Sequence, residues 1–214
     1  MAPKRIGLWR ENKPRLRAFA GVTLVPSYPI YLSENRNIEP LGYGSSNNIF
    51  LKEISLAVQE GDKVPAATFK VMGAEGPADV TSEEFFAGKT VALFSVPGAF
   101  TPTCSAKHLP GFVEKADDLK AKGVDAIACT AANDVFVMDA WGKNQNVGEI
   151  AMLADGSADF VKALGLELDL TGRGMGMRAQ RYSMIVKDGV IEKLNVEEGG
   201  AFEVSSVEHM LGQL

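Results

Sequence analysis

Cysteine and histidine are scarce in this sequence. The 214 residues include two cysteines, Cys104 and Cys129, and two histidines, His108 and His209. Two cysteines are too few for the disulfide framework of a small secreted protein, so we expect a reducing compartment in which any disulfide is transient. These four side chains also lack the close spacing of zinc ligands. The sequence therefore gives no reason to expect a metal, a flavin or another cofactor.

An excess of positive charge and long apolar runs are also missing. The formal net charge is -5, whereas nucleic-acid-binding proteins usually carry a basic surface. The apolar stretch at residues 18–31 is interrupted by Gly21, Pro26 and Pro29. It is too short and too broken to cross a membrane as a helix. We therefore expect small-molecule partners, with neither nucleic acid nor a membrane among them.

The charge is unevenly distributed and divides the chain into two parts. Residues 1–53 carry eight Lys and Arg against four Asp and Glu, whereas residues 54–214 carry fourteen against twenty-three. The first part has no sustained periodicity and is rich in Asn, Ser, Gly and Pro. It is predicted to be a leader or extension that is disordered or serves in targeting. A wrongly assigned start codon is the alternative explanation.

The expected location depends on this leader. Its first seventeen residues carry six basic side chains against one acidic one, a bias typical of organelle transit peptides, although serine is scarce there. We expect a cytoplasmic protein. Mitochondrion or plastid is the alternative if residues 1–53 are a transit peptide.

From residue 54 onward, strand-like and helix-like segments alternate. Strands are predicted at residues 67–71, 89–96, 124–130, 150–153, 181–187 and 190–196. Helices are predicted after Thr81, over 103–122, over 133–141, over 158–164 and after Ser205. A parallel βαβα portion followed by an antiparallel ββα portion predicts one α/β domain over 54–214. Its fold is expected to be thioredoxin-like, with helices flanking a central mixed β-sheet.

Local motifs mark the ends of several of these segments. The stretches 81–84 and 205–208 have the spacing of a capping box. Asn133 is predicted to cap the helix that follows it. Asp188-Gly189 is typical of a two-residue hairpin turn. Pro110 is expected to kink the helix in which it lies.

The segment from Pro97 to Cys104 carries the reactive group. A buried strand turns there into a helix, with Thr101 predicted as the N-cap, Pro102 as the first helical residue and Cys104 in the first turn. Free backbone N–H groups and the positive end of the helix dipole stabilise an anion at such a position, which lowers the pKa of a thiol. A nucleophilic thiolate is therefore expected at Cys104.

A more acidic thiol explains only a small part of a catalytic rate. Lowering a thiol pKa from about 8.5 to about 6 raises the thiolate fraction at pH 7 by roughly thirtyfold. Enzymes commonly accelerate their reactions by at least about a millionfold. Hydrogen-bond donors are therefore needed near the sulfur. The candidates are the hydroxyl of Thr101 and the guanidinium of Arg181, which opens the predicted strand 181–187.

The pattern P-x-x-x-T-x-x-C, formed by Pro97, Thr101 and Cys104, resembles the active-site signature of the peroxiredoxins. The fuller strings at 96–105 and 108–112 are similar to the type II branch of that family, which is grouped with the fifth mammalian subfamily. The resemblance covers about the whole predicted α/β domain.

This resemblance implies a thiol-dependent peroxidase for hydrogen peroxide and alkyl hydroperoxides, acting in antioxidant defence and cell redox homeostasis. It implies that Cys104 is the peroxidatic cysteine, oxidised to a sulfenic acid in a pocket shaped by Pro97, Thr101 and Arg181. Many members pair as homodimers through the active-site edge. The late resolving cysteine of some members is missing from residues 199–205. Glutathione with glutaredoxin, or thioredoxin, is therefore the expected reductant.

Cys129 has two interpretations. It lies twenty-five positions after Cys104, at the end of the next predicted strand, so both cysteines are expected at the carboxyl edge of the sheet, where Cys129 could resolve the sulfenic acid. The preferred interpretation is a buried strand residue, because free cysteine is among the most buried residue types.

His108 and a glycine-rich run each have a functional and a structural interpretation. His108, one helical turn after Cys104, is a minor candidate for a general base and equally a solvated surface residue. The glycine-rich run at 172–178 lacks the spacing of a phosphate loop and is predicted to be a flexible loop.

A disulfide oxidoreductase normally needs Cys-x-x-Cys, but this chain has Thr101 at the first of those positions. A redox-sensing or chaperone-like interaction protein is the alternative function.

Overall fold

The computed structural model describes residues 57–214, so the predictions for residues 1–53 lie outside the described part of the chain. The strands are β1 Thr68–Gly73, β2 Gly76–Thr81, β3 Thr90–Ser95, β4 Ala126–Ala131, β5 Ala151–Ala154, β6 Glu167–Leu170, β7 Gly176–Ala179, β8 Tyr182–Lys187 and β9 Val190–Val196. The α-helices are α1 Ser82–Phe86, α2 Leu109–Glu114, α3 Ala116–Ala121, α4 Val135–Gln145, α5 Asp159–Leu164 and α6 Val207–Leu211. A π-helical turn, Cys104–His108, precedes α2, and a 3₁₀ turn, Thr171–Arg173, joins β6 to β7.

Seven of the strands form one mixed sheet in the order β2-β1-β5-β4-β3-β8-β9. Strands β3, β4 and β5 are parallel, whereas β1, β2, β8 and β9 pair antiparallel with their neighbours. Strands β6 and β7 form a separate antiparallel pair. This arrangement confirms the predicted thioredoxin-like fold with a central mixed sheet. Within residues 57–214, no helix is long and apolar enough to cross a membrane.

Apolar side chains cover both faces of the central strands. Phe94 and Cys129 belong to the core cluster on one face, together with Trp141 of α4. Leu93 belongs to the cluster on the other face, together with Phe160 of α5. Alternation along a strand explains this division, because consecutive side chains point to opposite faces. The continuous apolar run that predicted β3 thus packs against a helix layer on each side.

The long helix predicted over 103–122 is interrupted twice. Its first irregularity is the π turn, in which the N–H of Leu109 donates to the carbonyl of Cys104, five residues earlier. Pro110 has no N–H to donate, so the regular hydrogen-bond ladder is already broken at this point. The expected irregularity therefore lies before Pro110. A second break occurs at Lys115, where φ is -101° and ψ is 13°.

Two helix caps differ from the prediction by one residue. Asp134, and not Asn133, caps α4, because its carboxylate accepts from the N–H groups of Phe136 and Val137. Ser206, and not Ser205, caps α6 by accepting from the N–H of His209. Adjacent polar residues are interchangeable in the sequence pattern, and only the backbone geometry chooses between them. The capping box predicted at residues 81–84 is confirmed.

Strands β2, β6 and β7 were not predicted. The prediction of a flexible loop over 172–178 is wrong for its second half, because Gly176–Ala179 pairs with Glu167–Leu170. The paired stretch Gly-Met-Arg-Ala has neither alternation nor β-branched residues, which are the usual strand signals. Its pairing with β6 overrides its weak local preference.

Candidate active site

The sheet brings the two predicted functional segments to one edge. Strand β3 ends at Ser95, just before the loop that begins at Pro97, and Ser95 lies directly opposite Tyr182, the first residue of β8. Because β8 runs antiparallel to β3, its start meets the carboxyl end of β3. Arg181, which precedes Tyr182, therefore lies beside the loop that leads to Cys104.

Cys104 and Arg181 are in direct contact. The Nη2 of Arg181 donates to the Sγ of Cys104 at 3.4 Å. Cys104 is fully buried and the exposed fraction of Arg181 is 7%. A guanidinium that is shielded from water acts on a nearby thiolate with little screening. The contact therefore supplies a charged donor to the sulfur.

His108 holds the other arm of the guanidinium. The Nη1 of Arg181 lies 3.0 Å from the Nδ1 of His108, and the Nε2 of His108 lies 3.0 Å from the carbonyl oxygen of Ser205. An arginine can only donate and a carbonyl can only accept, so Nδ1 is the acceptor and Nε2 carries the hydrogen. Burial, followed by the charge of Arg181, lowers the pKa of His108 to about 3. The ring is therefore neutral at physiological pH.

The prediction of a solvated His108 is wrong, because its exposed fraction is 1%. Both ring nitrogens already have partners, which leaves neither of them free to act as a base toward the thiol. The sequence did carry a signal of burial, because His108 lies four residues before the core residue Phe112 and hence on the same helix face. Its ring also lies 4.9 Å from the ring of Phe94.

Glu197 was not predicted as a site residue. It directly follows the last residue of β9, which pairs with Tyr182 at the start of β8. Its Oε1 accepts from the N–H and the hydroxyl of Ser205 at 2.8 Å and from the N–H of Glu203 at 2.6 Å. Burial raises the pKa of Glu197, but these hydrogen bonds and the charge of Arg181 outweigh burial and lower it. Glu197 therefore stays ionised and fixes Ser205, the residue that accepts from His108.

The loop that leads to Cys104 is held by its own contacts. The hydroxyl of Thr101 donates to the carbonyl of Gly98 at 2.9 Å, and the N–H of Ala99 donates to the Oδ1 of Asn133 at 2.9 Å. Thr101 thus closes the loop and does not use its hydroxyl as the predicted N-cap acceptor. Asn133, which was predicted as a cap, serves as an anchor for this loop. Helical structure begins at Pro102, as predicted.

Cys129 lies within β4 and is fully buried. Burial, followed by the charge of Cys104, raises the pKa of Cys129 well above its ordinary value. Both cysteines are free thiols. A buried, protonated thiol is a poor nucleophile, so these features favour the interpretation of Cys129 as a strand residue of the core.

A cavity of about 340 Å³ opens beside the guanidinium. Its lining residues are Pro97, Leu168, Leu170, Arg173, Gln180, Arg181, Glu197, Gly199 and Gly200. The cavity reaches Arg181, the residue whose Nη2 contacts the buried sulfur. No cluster of His, Cys, Asp and Glu within the described residues has the arrangement of a metal site.

A thioredoxin-like sheet that holds a buried thiol against an arginine defines the class of thioredoxin-like thiol peroxidases. Residues 59–211 match the family model described as Redoxin. The chain belongs to the peroxiredoxin family of antioxidant oxidoreductases. It is a thiol-dependent peroxidase.

Individual relatives support this assignment. The chain is 52% identical over 163 residues to peroxiredoxin-2E-2, chloroplastic, of Oryza sativa, with 72% of this chain and 71% of the relative covered. It is 43% identical to the hybrid peroxiredoxin hyPrx5 of Haemophilus influenzae, with 74% and 67% covered. A crystal structure of reduced Prx3 from Vibrio vulnificus in complex with H₂O₂ is 54% identical. It has a TM-score of 0.71, with 73% of this chain and 98% of that chain covered.

Proposed function

We propose that Cys104 is the peroxidatic residue and that hydrogen peroxide and alkyl hydroperoxides are its substrates. The contact of Arg181 with the sulfur at 3.4 Å carries this proposal. The thiolate attacks one peroxide oxygen, so that an S–O bond forms and the O–O bond breaks. The sulfur loses two electrons and becomes a sulfenic acid, while the departing oxygen takes up a proton and leaves as water or an alcohol.

The neighbouring groups have distinct roles in this step. Arg181 stabilises the thiolate before attack and the negative charge on the departing oxygen during it. Pro97 lines the cavity together with Arg181 and excludes water from the sulfur. Thr101 holds the loop in shape through Gly98 and places its hydroxyl at the start of the cysteine's helix. A preformed arrangement of this kind lowers the barrier because little reorganisation is needed.

Exchange of single cysteines tests the assignment. Cys104→Ser is expected to abolish peroxide consumption, because a hydroxyl cannot become a sulfenic acid, whereas Cys129→Ser is expected to retain it within about threefold. Stopped-flow measurement of peroxide loss checks both variants. Full activity in Cys104→Ser, or its loss in a folded Cys129→Ser, contradicts the assignment.

The reductant is proposed to be an external thiol, either glutathione with glutaredoxin or thioredoxin. The burial and raised pKa of Cys129 support this proposal, as does the absence of a cysteine from residues 199–205. One thiol displaces water from the sulfenic acid to give a mixed disulfide, and a second thiol releases Cys104. Mass spectrometry after one equivalent of peroxide should show a gain of one oxygen. A loss of two hydrogens would instead identify Cys129 as the resolving cysteine.

A homodimer through the active-site edge is proposed on the distribution of exposed apolar side chains. Phe100, Phe136 and Met177 are 54%, 64% and 39% exposed. Phe100 belongs to the Pro97–Cys104 loop. Phe136 lies three residues after Asn133, which binds Ala99 of this loop. Met177 lies next to Arg178, whose side chain is near Gly98 of the loop. Large apolar side chains gathered at one place are typical of an interaction surface.

A plastid location is proposed for the mature protein, with residues 1–53 as its targeting leader. The support is the basic bias of this segment and the names of two relatives from Oryza sativa and Arabidopsis thaliana, both described as chloroplastic. A fusion of residues 1–53 to a fluorescent protein is expected to accumulate in plastids. A fusion that stays in the cytosol favours a cytoplasmic protein. A fusion that enters mitochondria favours a mitochondrial one.

A further inference from the structure

The cavity beside Arg181 is larger than a peroxide requires. Its volume of about 340 Å³ falls within the range of small-molecule sites, roughly 300–1,000 Å³, whereas one water in the liquid occupies about 30 Å³. Hydrogen peroxide has only two heavy atoms and fills a small part of this space. The rest can accommodate an organic co-substrate beside Arg181, the residue that contacts the cysteine.

The cavity presents positive charge in an acidic domain. Residues 54–214 carry fourteen basic against twenty-three acidic side chains, yet Arg173 and Arg181 both line the cavity. The one acidic lining residue is Glu197, whose Oε1 already accepts three hydrogen bonds from Glu203 and Ser205. Arg181 faces Cys104 and Glu197, so the charge of Arg173 is the one left to favour an anionic ligand.

Both arginines that line this cavity have a donor group without a partner among the described residues. The Nε of Arg181 is buried and makes no hydrogen bond there, although Nη1 and Nη2 are engaged by His108 and Cys104. Arg173 takes part in none of the ion pairs formed within residues 57–214. The Nε of Arg181 is closed off from the cavity, whereas Arg173 is exposed and its guanidinium can therefore bind a ligand.

We propose that this cavity binds a carboxylate-bearing co-substrate and that Arg173 is the residue that recognises its carboxylate. The proposal rests on the peroxidase function of Cys104 proposed above. Arginine suits this role because its planar fork matches the two oxygens of a carboxylate. Apolar contacts from Leu168 and Leu170 accommodate the remainder of the ligand. The carboxylate belongs either to a thiol reductant of the glutathione type or to a fatty-acid hydroperoxide.

Pairs of ligands that differ only in the carboxylate separate these two sources. In one arm, the full-length enzyme is oxidised with one equivalent of H₂O₂ and its reduction by glutathione or glutathione diethyl ester is followed. In the other arm, oxidation of Cys104 by a fatty-acid hydroperoxide or its methyl ester is followed. The quantity compared in each arm is the rate with the acid divided by the rate with the ester.

Arg173→Gln is expected to lower this ratio about threefold to fivefold in one arm, the size of effect expected of one partly exposed ion pair. The arm in which the ratio falls identifies the ligand. Arg173→Lys should retain part of the ratio because it keeps the charge. Lys187→Gln should retain all of it, because Lys187 lies at the opposite end of β8 from Arg181, roughly 20 Å away at about 3.3 Å per residue.

An unchanged ratio in both arms overturns the role of Arg173, as does an equal fall in Lys187→Gln. Oxidation by H₂O₂ followed by reduction with the uncharged dithiothreitol tests the peroxidase function independently. This cycle should run at the wild-type rate in Lys187→Gln, whose substitution lies outside the cavity. If wild-type Cys104 itself is not oxidised in that cycle, the proposed function fails, whatever the two ratios show.

Discussion

Arg181 connects the reactive sulfur to a chain of buried polar groups. The guanidinium donates to Cys104 on one side and to His108 on the other. His108 donates to the carbonyl of Ser205, and the N–H of Ser205 donates to Glu197. The ring of Phe202 lies 5.8 Å from the guanidinium carbon. Long side chains lose rotamer entropy when they are fixed in one conformation. In this network the entropy is already lost on folding, so it does not add to the barrier of the reaction.

Stability should fall with acidity because His108 is buried in its neutral form. Its folded-state pKa is about 3, against an ordinary value of 6.5. Between these values the unfolded chain binds one more proton at this site, so stability rises with pH through this window and is lost as pH falls from about 6.5 toward 3. From pH 7 to pH 5 the expected loss of unfolding free energy from this residue is about 2 kcal/mol.

His108→Gln isolates this contribution. A glutamine can accept from Arg181 and donate to Ser205 but cannot titrate. The difference in unfolding free energy between pH 7 and pH 5, measured by urea denaturation, should therefore be about 2 kcal/mol smaller in the variant than in the wild type. The carboxylates are common to both proteins and cancel in this comparison. Identical pH dependences would mean that His108 is not buried neutral in solution.

At the scale of elements, the start of α4 serves two purposes through two adjacent residues. Asn133 accepts from the N–H of Ala99 and thereby ties the Pro97–Cys104 loop to the end of β4. Asp134 accepts from the N–H groups of Phe136 and Val137 and caps the helix. Asn133 therefore anchors the site, whereas the adjacent Asp134 stabilises the helix.

Alanine at each position should separate these effects. Asp134→Ala is expected to cost about 1 kcal/mol of stability, as for the loss of an N-cap, with little change in the rate at which peroxide oxidises Cys104. Asn133→Ala leaves the N–H of Ala99 without its acceptor and loosens the loop, so that rate should fall about tenfold or more. Stopped-flow oxidation and urea unfolding of both variants check the pair. Equal effects on rate would show that Asn133 has no particular role in the loop.

Prediction from sequence succeeded where the local signal was strong. The apolar run of β3 and the Asp188-Gly189 turn gave the central sheet and its terminal hairpin. It failed where pairing partners decide the structure, as in β7, whose residues have weak strand preference. The same limit applies to the site. The signature pointed to Cys104, whereas the contacts of His108 and Glu197 depend on chain segments far apart in sequence.

At the scale of the whole molecule, the sheet edge that carries the site is also where exposed apolar side chains gather. The carboxyl ends of the parallel strands β3 and β4 meet the start of β8 there, in keeping with the placement of ligand sites in open α/β sheets. Phe100 has a φ of 61°, which is uncommon for a residue with a side chain. The loop thus holds an aromatic ring toward solvent beside the site, on the surface proposed above for the homodimer.

Phe136→Glu tests this surface. A charge placed on a side chain that is 64% exposed should leave folding intact, because the ring is not part of the core. The same charge inside a dimer interface loses its hydration without gaining a partner. The wild-type chain is therefore expected to have twice the monomer mass in light scattering coupled to gel filtration, and the variant the monomer mass.

Asn144→Glu is the matched control, because it adds the same charge to the last turns of the same helix. Its eight-residue separation from Phe136 corresponds to about 12 Å along α4. It should remain dimeric at every concentration at which the wild type is dimeric. A dimeric Phe136→Glu would place the interface elsewhere. A monomeric wild type would contradict the proposed homodimer itself.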